Sequence, residues 1–155
     1  MAATEGGEID VAKLDYGPEK VLLGRGLFGD VYKARYNGEV DVAVKHVSLR
    51  RQYREYNEQA QAVRNEIQLH LQLRHENVVR LFGYSDRLRL DHEFVLVMEI
   101  VEGDTVRRFW KQASSTLSLS DRLHIGVCCW RGLEYIHSKN VYHRDLHENN
   151  VLITV

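Results

Sequence analysis

Residues 20–47 read KVLLGRGLFGDVYKARYNGEVDVAVKHV. Apolar and polar residues alternate on both sides of Asn37-Gly38, and a period of two marks a half-buried strand. Asn-Gly between β-prone runs is a strong hairpin signal, because both residues accept positive φ. Ahead of that turn, Gly24, Gly26 and Gly29 form G-x-G-x-x-G. In a dinucleotide-binding unit this motif opens a helix whose N-terminus faces a pyrophosphate. Here strand, tight turn and strand follow instead. The spacing therefore predicts a β-hairpin lid whose backbone amides approach phosphates without a Cβ in the way. The run closes on Val42-Ala43-Val44-Lys45. A lysine ending a buried strand needs a counter-charge to offset its desolvation, and Glu66, on the next helical stretch, is the candidate. Singly these features have plain readings: glycines turn, lysines end strands, and "RNEIQ" is a solvated helix face. Their order is what argues for function.

The composition is that of a soluble globular domain: 155 residues, 44% hydrophobic and 28% charged, with a formal net charge of −1. That charge points to no nucleic-acid or anionic-membrane partner. The N-terminal "MAATEGGEIDVAK" has no apolar core, so neither signal peptide nor membrane segment is expected. Cys128 and Cys129 are adjacent and make no disulfide framework, which favours a reducing, cytoplasmic setting. Residues 1–16 read as a flexible tail. Ala60, Val63, Ile67 and Leu71 share one face of a helix over about 52–73. "NVVRLFGYS" and "EFVLVMEIV" read as strands, and Ser120 as the cap of a helix running to about His137.

Residues 143–155 read HRDLHENNVLITV. Asp145 and Asn150 sit on a loop entering the apolar run Val151-Leu152-Ile153, which reads as a buried strand. A carboxylate can accept a proton, and an amide carbonyl can hold a cation. An isolated Asp-x-x-x-x-Asn is a polar turn; here it follows the features above. His143 and His147 have the i, i+4 spacing of a metal pair, but the flanks read as loop and no third ligand is indicated.

With these motifs in this order, the chain resembles the eukaryotic protein kinase family, leaning to its tyrosine-kinase-like serine/threonine group. The resemblance rests on Leu23-Gly24-Arg25-Gly26-Leu27-Phe28-Gly29-Asp30-Val31, on Val42-Ala43-Val44-Lys45, on Glu66, and on His143-Arg144-Asp145 with Asn150. It implies an α+β fold: a small lobe of antiparallel sheet plus one helix (about 17–101) and the start of a helical large lobe (about 102–155). It implies ATP and Mg2+, with a protein hydroxyl, Ser/Thr rather than Tyr, as acceptor. Residues 24–29 would cover the phosphates, and Lys45, oriented by Glu66, would hold them. Asp145 would take the hydroxyl proton and Asn150 a magnesium ion. Val31 and Ala43 would sandwich the adenine against Leu152, beside Met98 as gatekeeper, with the backbone at Glu99 and Val101 as hinge. Leu81 and His143 match the family's internal hydrophobic spine.

His70, where the family usually has an aliphatic residue, reads as a satisfied core histidine. His147 stands where serine/threonine kinases usually place lysine, and it would be an auxiliary phosphate contact. The family's Asp-Phe-Gly motif, which carries the main magnesium contact, does not occur in the 155 residues. The expectation is thus a fragment of residues 17–155, inactive by itself. The alternative is a non-catalytic nucleotide-binding or scaffold protein.

Overall fold

The protein is described by a computed structural model over residues 7–26, 29–49, 55–113 and 118–154. It divides into two compact units. The first takes the described residues of Met1–Leu73 and Arg80–Ile100; the second takes Arg74–Val79 and Val101–Val155.

The first unit is a curled antiparallel sheet with one helix, the α+β arrangement expected. Its strands are β1 (Leu14–Asp15), β2 (Leu22–Gly26), β3 (Gly29–Tyr36), β4 (Val40–Ser48), β5 (Leu81–Asp86) and β6 (Glu93–Glu99). They lie in the order β1-β3-β4-β6-β5, and β2 also pairs with β3. Asn37 (φ 54°) and Gly38 (φ 71°) make the β3–β4 turn, so the Asn-Gly signal marks the hairpin where it was expected. The period of two divides β4 between two cores. Val42 and Val44, both wholly buried, join Ala34, Tyr36, Val95 and Val97 on one face. Val47 joins Leu81 and Phe94 on the other, under helix α1 (Tyr56–His70). Ala60 and Ile67 are buried there, with Val63 and Leu71 packed beside them, which is the predicted helical stripe. A fully buried Val, Leu, Ile or Phe in these cores contributes about 1.5–3 kcal/mol relative to exposure.

The tail expected over residues 1–16 is not loose over residues 7–16. Ile9 is 8% exposed, its amide donates to the Tyr84 carbonyl (2.8 Å), and Leu14 and Asp15 pair with Tyr36 and Arg35. Ile9, Val11, Leu14 and Tyr16 cover the sheet face that α1 leaves open. Without them Val42 and Val44 would lose that cover, so the apolar gain orders a segment that its polar composition made look unstructured.

The second unit holds β7 (Gly103–Thr105), α2 (Val106–Ala113), α3 (Leu119–Ser138) and β8 (Leu152–Thr154). Its α3 is capped by Ser118 rather than Ser120. The Ser118 hydroxyl accepts from the Asp121 amide (3.1 Å), and the Asp121 carboxylate accepts from the Ser118 amide (3.0 Å), a reciprocal capping box that Ser120 cannot form. The apolar run at 151–153 forms β8, but it is not a buried strand. Its partner is the three-residue β7, and Leu152 is 43% exposed. Residues 74–79 pack on α3: the Tyr135 ring stacks on His75 at 4.9 Å, and its hydroxyl accepts from the Arg74 amide (2.8 Å). No helix among the described residues is long and apolar enough to cross a membrane.

Candidate functional site

Two groups of expected site residues lie in the two units, and each is described within its own. In the first, the glycine motif sits on a β-hairpin, as its context predicted. Gly24 faces Val31, Arg25 faces Asp30 and Gly26 faces Gly29, with a bulge between Leu22 and Gly24 that takes in Leu23. Leu27 and Phe28 lie outside the described residues. Gly29 has φ +135°, and a Cβ there would collide with the His46 carbonyl, so no other residue fits. Gly24 differs: a Cβ there would meet nothing in the chain. Internal packing does not demand that glycine, and the bare backbone is free for an outside group to approach.

Register fixes what accompanies the hairpin. Val31 lies opposite Lys45, Lys45 opposite Leu96, and Ala43 opposite Met98. Directly paired residues share a face, so Val31, Ala43, Lys45 and Met98 form one patch of the sheet. That face carries the α1-side core, against which Leu96 and Met98 pack. Lys45 is half-buried and Glu66 is exposed on α1. Among the described residues, no ion pair or hydrogen bond joins them. Helix α1 is held instead by Arg64 on Asp86 (2.8 Å), by Gln68 donating to the Tyr84 hydroxyl (3.2 Å) and by Tyr56 against His92 (3.3 Å). Glu99 closes β6, where its amide donates to the Arg80 carbonyl (2.9 Å), and Leu81 is wholly buried. His70 is half-buried in the last turn of α1.

In the second unit, the loop 143–150 does bring Asp145 and Asn150 together. The Asn150 amide nitrogen donates to the Asp145 carbonyl (2.8 Å) and to its carboxylate (3.0 Å). Both acceptors require hydrogens, which fixes the amide orientation and leaves the Asn150 carbonyl oxygen with no partner among the described residues. An acceptor oxygen held free beside a carboxylate suits a hard cation such as magnesium. His147 Nε2 stands 3.6 Å from the Asp145 carboxylate, and its Nδ1 accepts from the Asn149 amide (3.3 Å). Asp145 is reached through Arg144, whose φ of 61° costs a non-glycine residue about 1–3 kcal/mol. The His143 ring supports that bend by accepting from the Asp145 amide (3.3 Å). His143 itself is exposed, and the stretch is loop, so the i, i+4 histidines do not stack as on a helix.

Sequence reasoning missed what holds this loop. The start of α2 receives it: the Val106 amide donates to the Val151 carbonyl (2.8 Å), and the Arg107 amide to the Glu148 carbonyl (3.0 Å). The Arg107 guanidinium then pairs with the Glu148 carboxylate at 2.8 Å. The first turn of α2 thus holds Glu148 twice, by its backbone carbonyl and by its carboxylate. β7 and α2 together span eleven residues, Gly103 to Ala113, too short for a pattern to stand out. Val101 lies at the start of this unit's second segment and is half-buried.

Comparison with known proteins bears on the same residues. The family described as "Protein kinase domain" matches residues 18–155. Human serine/threonine-protein kinase A-Raf is 30% identical over 131 residues, 84% of this chain and 20% of that protein. Serine/threonine-protein kinase PLK4 of Xenopus tropicalis is 32% identical over 135 residues, 86% of this chain and 14% of its own length. A probable receptor-like protein kinase of Arabidopsis thaliana is 36% identical over 154 residues, 94% of this chain and 16% of that protein. The chain thus spans a fifth or less of the length of these relatives.

Proposed function

The chain belongs to the protein kinase family, and on that premise we propose that it carries the nucleotide-binding and proton-accepting parts of an enzyme that transfers the γ-phosphate of ATP to a protein serine or threonine hydroxyl. The observation that carries this reading is the Asn150 fork on Asp145: one amide fixes a carboxylate and leaves an oxygen for a cation. Serine/threonine rather than tyrosine acceptors agree with the names of A-Raf and PLK4.

The roles follow from the chemistry of each group. The backbone of the glycine hairpin lies over the phosphates, and Lys45 offers its ammonium to them. Glu66 orients Lys45 once α1 brings it close. Asn150 supplies a magnesium ligand through its carbonyl oxygen; when bound, the ion neutralises charge on the phosphates. Asp145 accepts the proton of the acceptor hydroxyl. Val31, Ala43 and Met98 offer the adenine an apolar wall. The backbone at Glu99 and Val101 reads its polar edge.

Positioned general-base catalysis is worth about 10²–10⁴-fold. Asp145→Asn in the full-length protein should lower kcat by that order while ATP affinity stays. Residues 1–155 alone should show no transfer, because they lack the Asp-Phe-Gly aspartate that carries the family's main magnesium contact. Unchanged kcat in Asp145→Asn would remove the role given to that residue. Turnover by residues 1–155 at the full-length rate would remove the need for anything more. A second reading, a nucleotide-binding protein without catalysis, draws on the absence of a Lys45–Glu66 pair among the described residues. It would be favoured by magnesium-ATP binding without any transfer in the full-length protein.

A further inference from the structure

Lys45 has a neighbour that the phosphotransfer chemistry does not use. The His46 side chain lies on the opposite face of β4, under the N-terminal segment. Its Nε2 is 3.0 Å from the Tyr16 hydroxyl, and its Nδ1 is 3.1 Å from the Glu93 carboxylate on β6. Arg87 stands 3.9 Å behind Glu93. The carboxylate only accepts, so Nδ1 carries a hydrogen. A neutral ring then accepts at Nε2 from the Tyr16 hydroxyl, and a charged ring donates to it; the hydroxyl can do either. The chain of bonds therefore survives a change in the charge of His46. Burial, aided by the negative charge of Glu93, pushes the Tyr16 phenol up to about 12, so it stays protonated throughout the neutral range.

The same cluster touches the glycine hairpin at three points. The Tyr32 ring, on β3, meets His46 edge-on at 5.9 Å and Tyr16 at 6.5 Å. Lys20, just ahead of β2, holds its ammonium over the Tyr16 ring (4.6 Å) and the Tyr32 ring (5.7 Å). The His46 carbonyl occupies the space where any side chain at Gly29 would go. The β3 strand of the hairpin is thus seated on the residue next to Lys45, while Lys20, just ahead of β2, reaches the Tyr16 ring that clamps that residue from the far side.

We propose that Tyr16, His46 and Glu93 are positioning residues that fix the pose of the glycine hairpin, so that the segment ahead of β2 sets how tightly this chain holds ATP. The inference rests on the nucleotide-binding reading of that hairpin. The test is Tyr16→Phe in the full-length protein, which removes one oxygen and keeps the ring. Asp41→Asn serves as control, because it breaks the Lys33 (2.9 Å) and Arg35 (3.0 Å) pairs at the other end of the β3–β4 hairpin. Binding of the fluorescent analogue mant-ATP with magnesium should weaken about three- to tenfold in Tyr16→Phe, the span of one net hydrogen bond, and stay unchanged in Asp41→Asn. Hydrogen exchange without nucleotide should quicken at the β2–β3 amides of Tyr16→Phe but not along β4–β6. A purely structural role would instead lower Tm and quicken exchange across the whole sheet. Wild-type affinity in Tyr16→Phe, with unaltered β2–β3 exchange, overturns the proposal. A wild-type protein that binds no mant-ATP overturns the nucleotide reading, and with it the control of affinity; exchange then decides the anchoring of the hairpin alone.

Discussion

His147 stands between the two residues on which transfer would depend. Its Nε2 comes within 3.0 Å of the Asn150 amide nitrogen, but the two hydrogens there go to Asp145, and a ring that accepts at Nδ1 carries its own hydrogen on Nε2, so His147 accepts neither. Its ring thus touches the site without holding it together. We expect His147→Lys in the full-length protein to keep or raise kcat, because the ammonium places a fixed positive charge beside the site. Steady-state kinetics with ATP at saturation would check this. A fall beyond about 100-fold, the lower range for a positioned acid–base group, would give the imidazole a role of its own. That Asp145 and Asn150 could meet was legible in their spacing, because a loop with four residues between them can fold one back onto the other. The separation of Lys45 from Glu66 was not. It depends on where α1 sits, and the Arg64–Asp86 and Tyr56–His92 contacts that place it join residues distant in sequence.

Among the elements, α3 offers a clean test of local chemistry. Ser118→Ala removes the acceptor for the Asp121 amide and should cost about 0.5–2 kcal/mol of stability, read from the shift of a urea midpoint. Hydrogen bonds from the Ser118 hydroxyl, then from its amide, hold the Asp121 carboxyl below the usual carboxylate range. A depressed folded pKa means that this support is complete above the unfolded value near 3.8 and is lost as pH falls through the folded one. The first turn of α3 should therefore exchange its amides faster in acid below about pH 4, and Ser118→Ala, which removes the hydroxyl but keeps the backbone amide that also bonds Asp121, should weaken that dependence. Elements with strong periods were readable: the β3–β4 hairpin from its alternation and Asn-Gly, and α1 from its stripe. The ordered segment at 7–16 was hidden because its apolar residues, Ile9, Val11, Leu14 and Tyr16, are spread thinly among acidic and small ones. Only the sheet face they cover shows their purpose.

At the scale of the molecule, the chain passes between its units more than once. It leaves the first at Arg74, returns at Arg80 and leaves again at Val101. The short excursion is not decorative. Arg74 bonds Tyr135, His75 stacks on it, and a Cβ at Gly132 would meet the Asn77 carbonyl at 2.9 Å, so α3 is fitted to these six residues. A gene for this fold therefore cannot be split in two by one cut. Residues 101–155 expressed alone should be mostly unfolded by far-UV circular dichroism, and helicity should rise when residues 74–79 are fused ahead of them through a flexible linker. Equal helicity with and without the fused hexapeptide would show that the second unit can be inherited, shuffled or circularly permuted without any piece of the first half of the sequence.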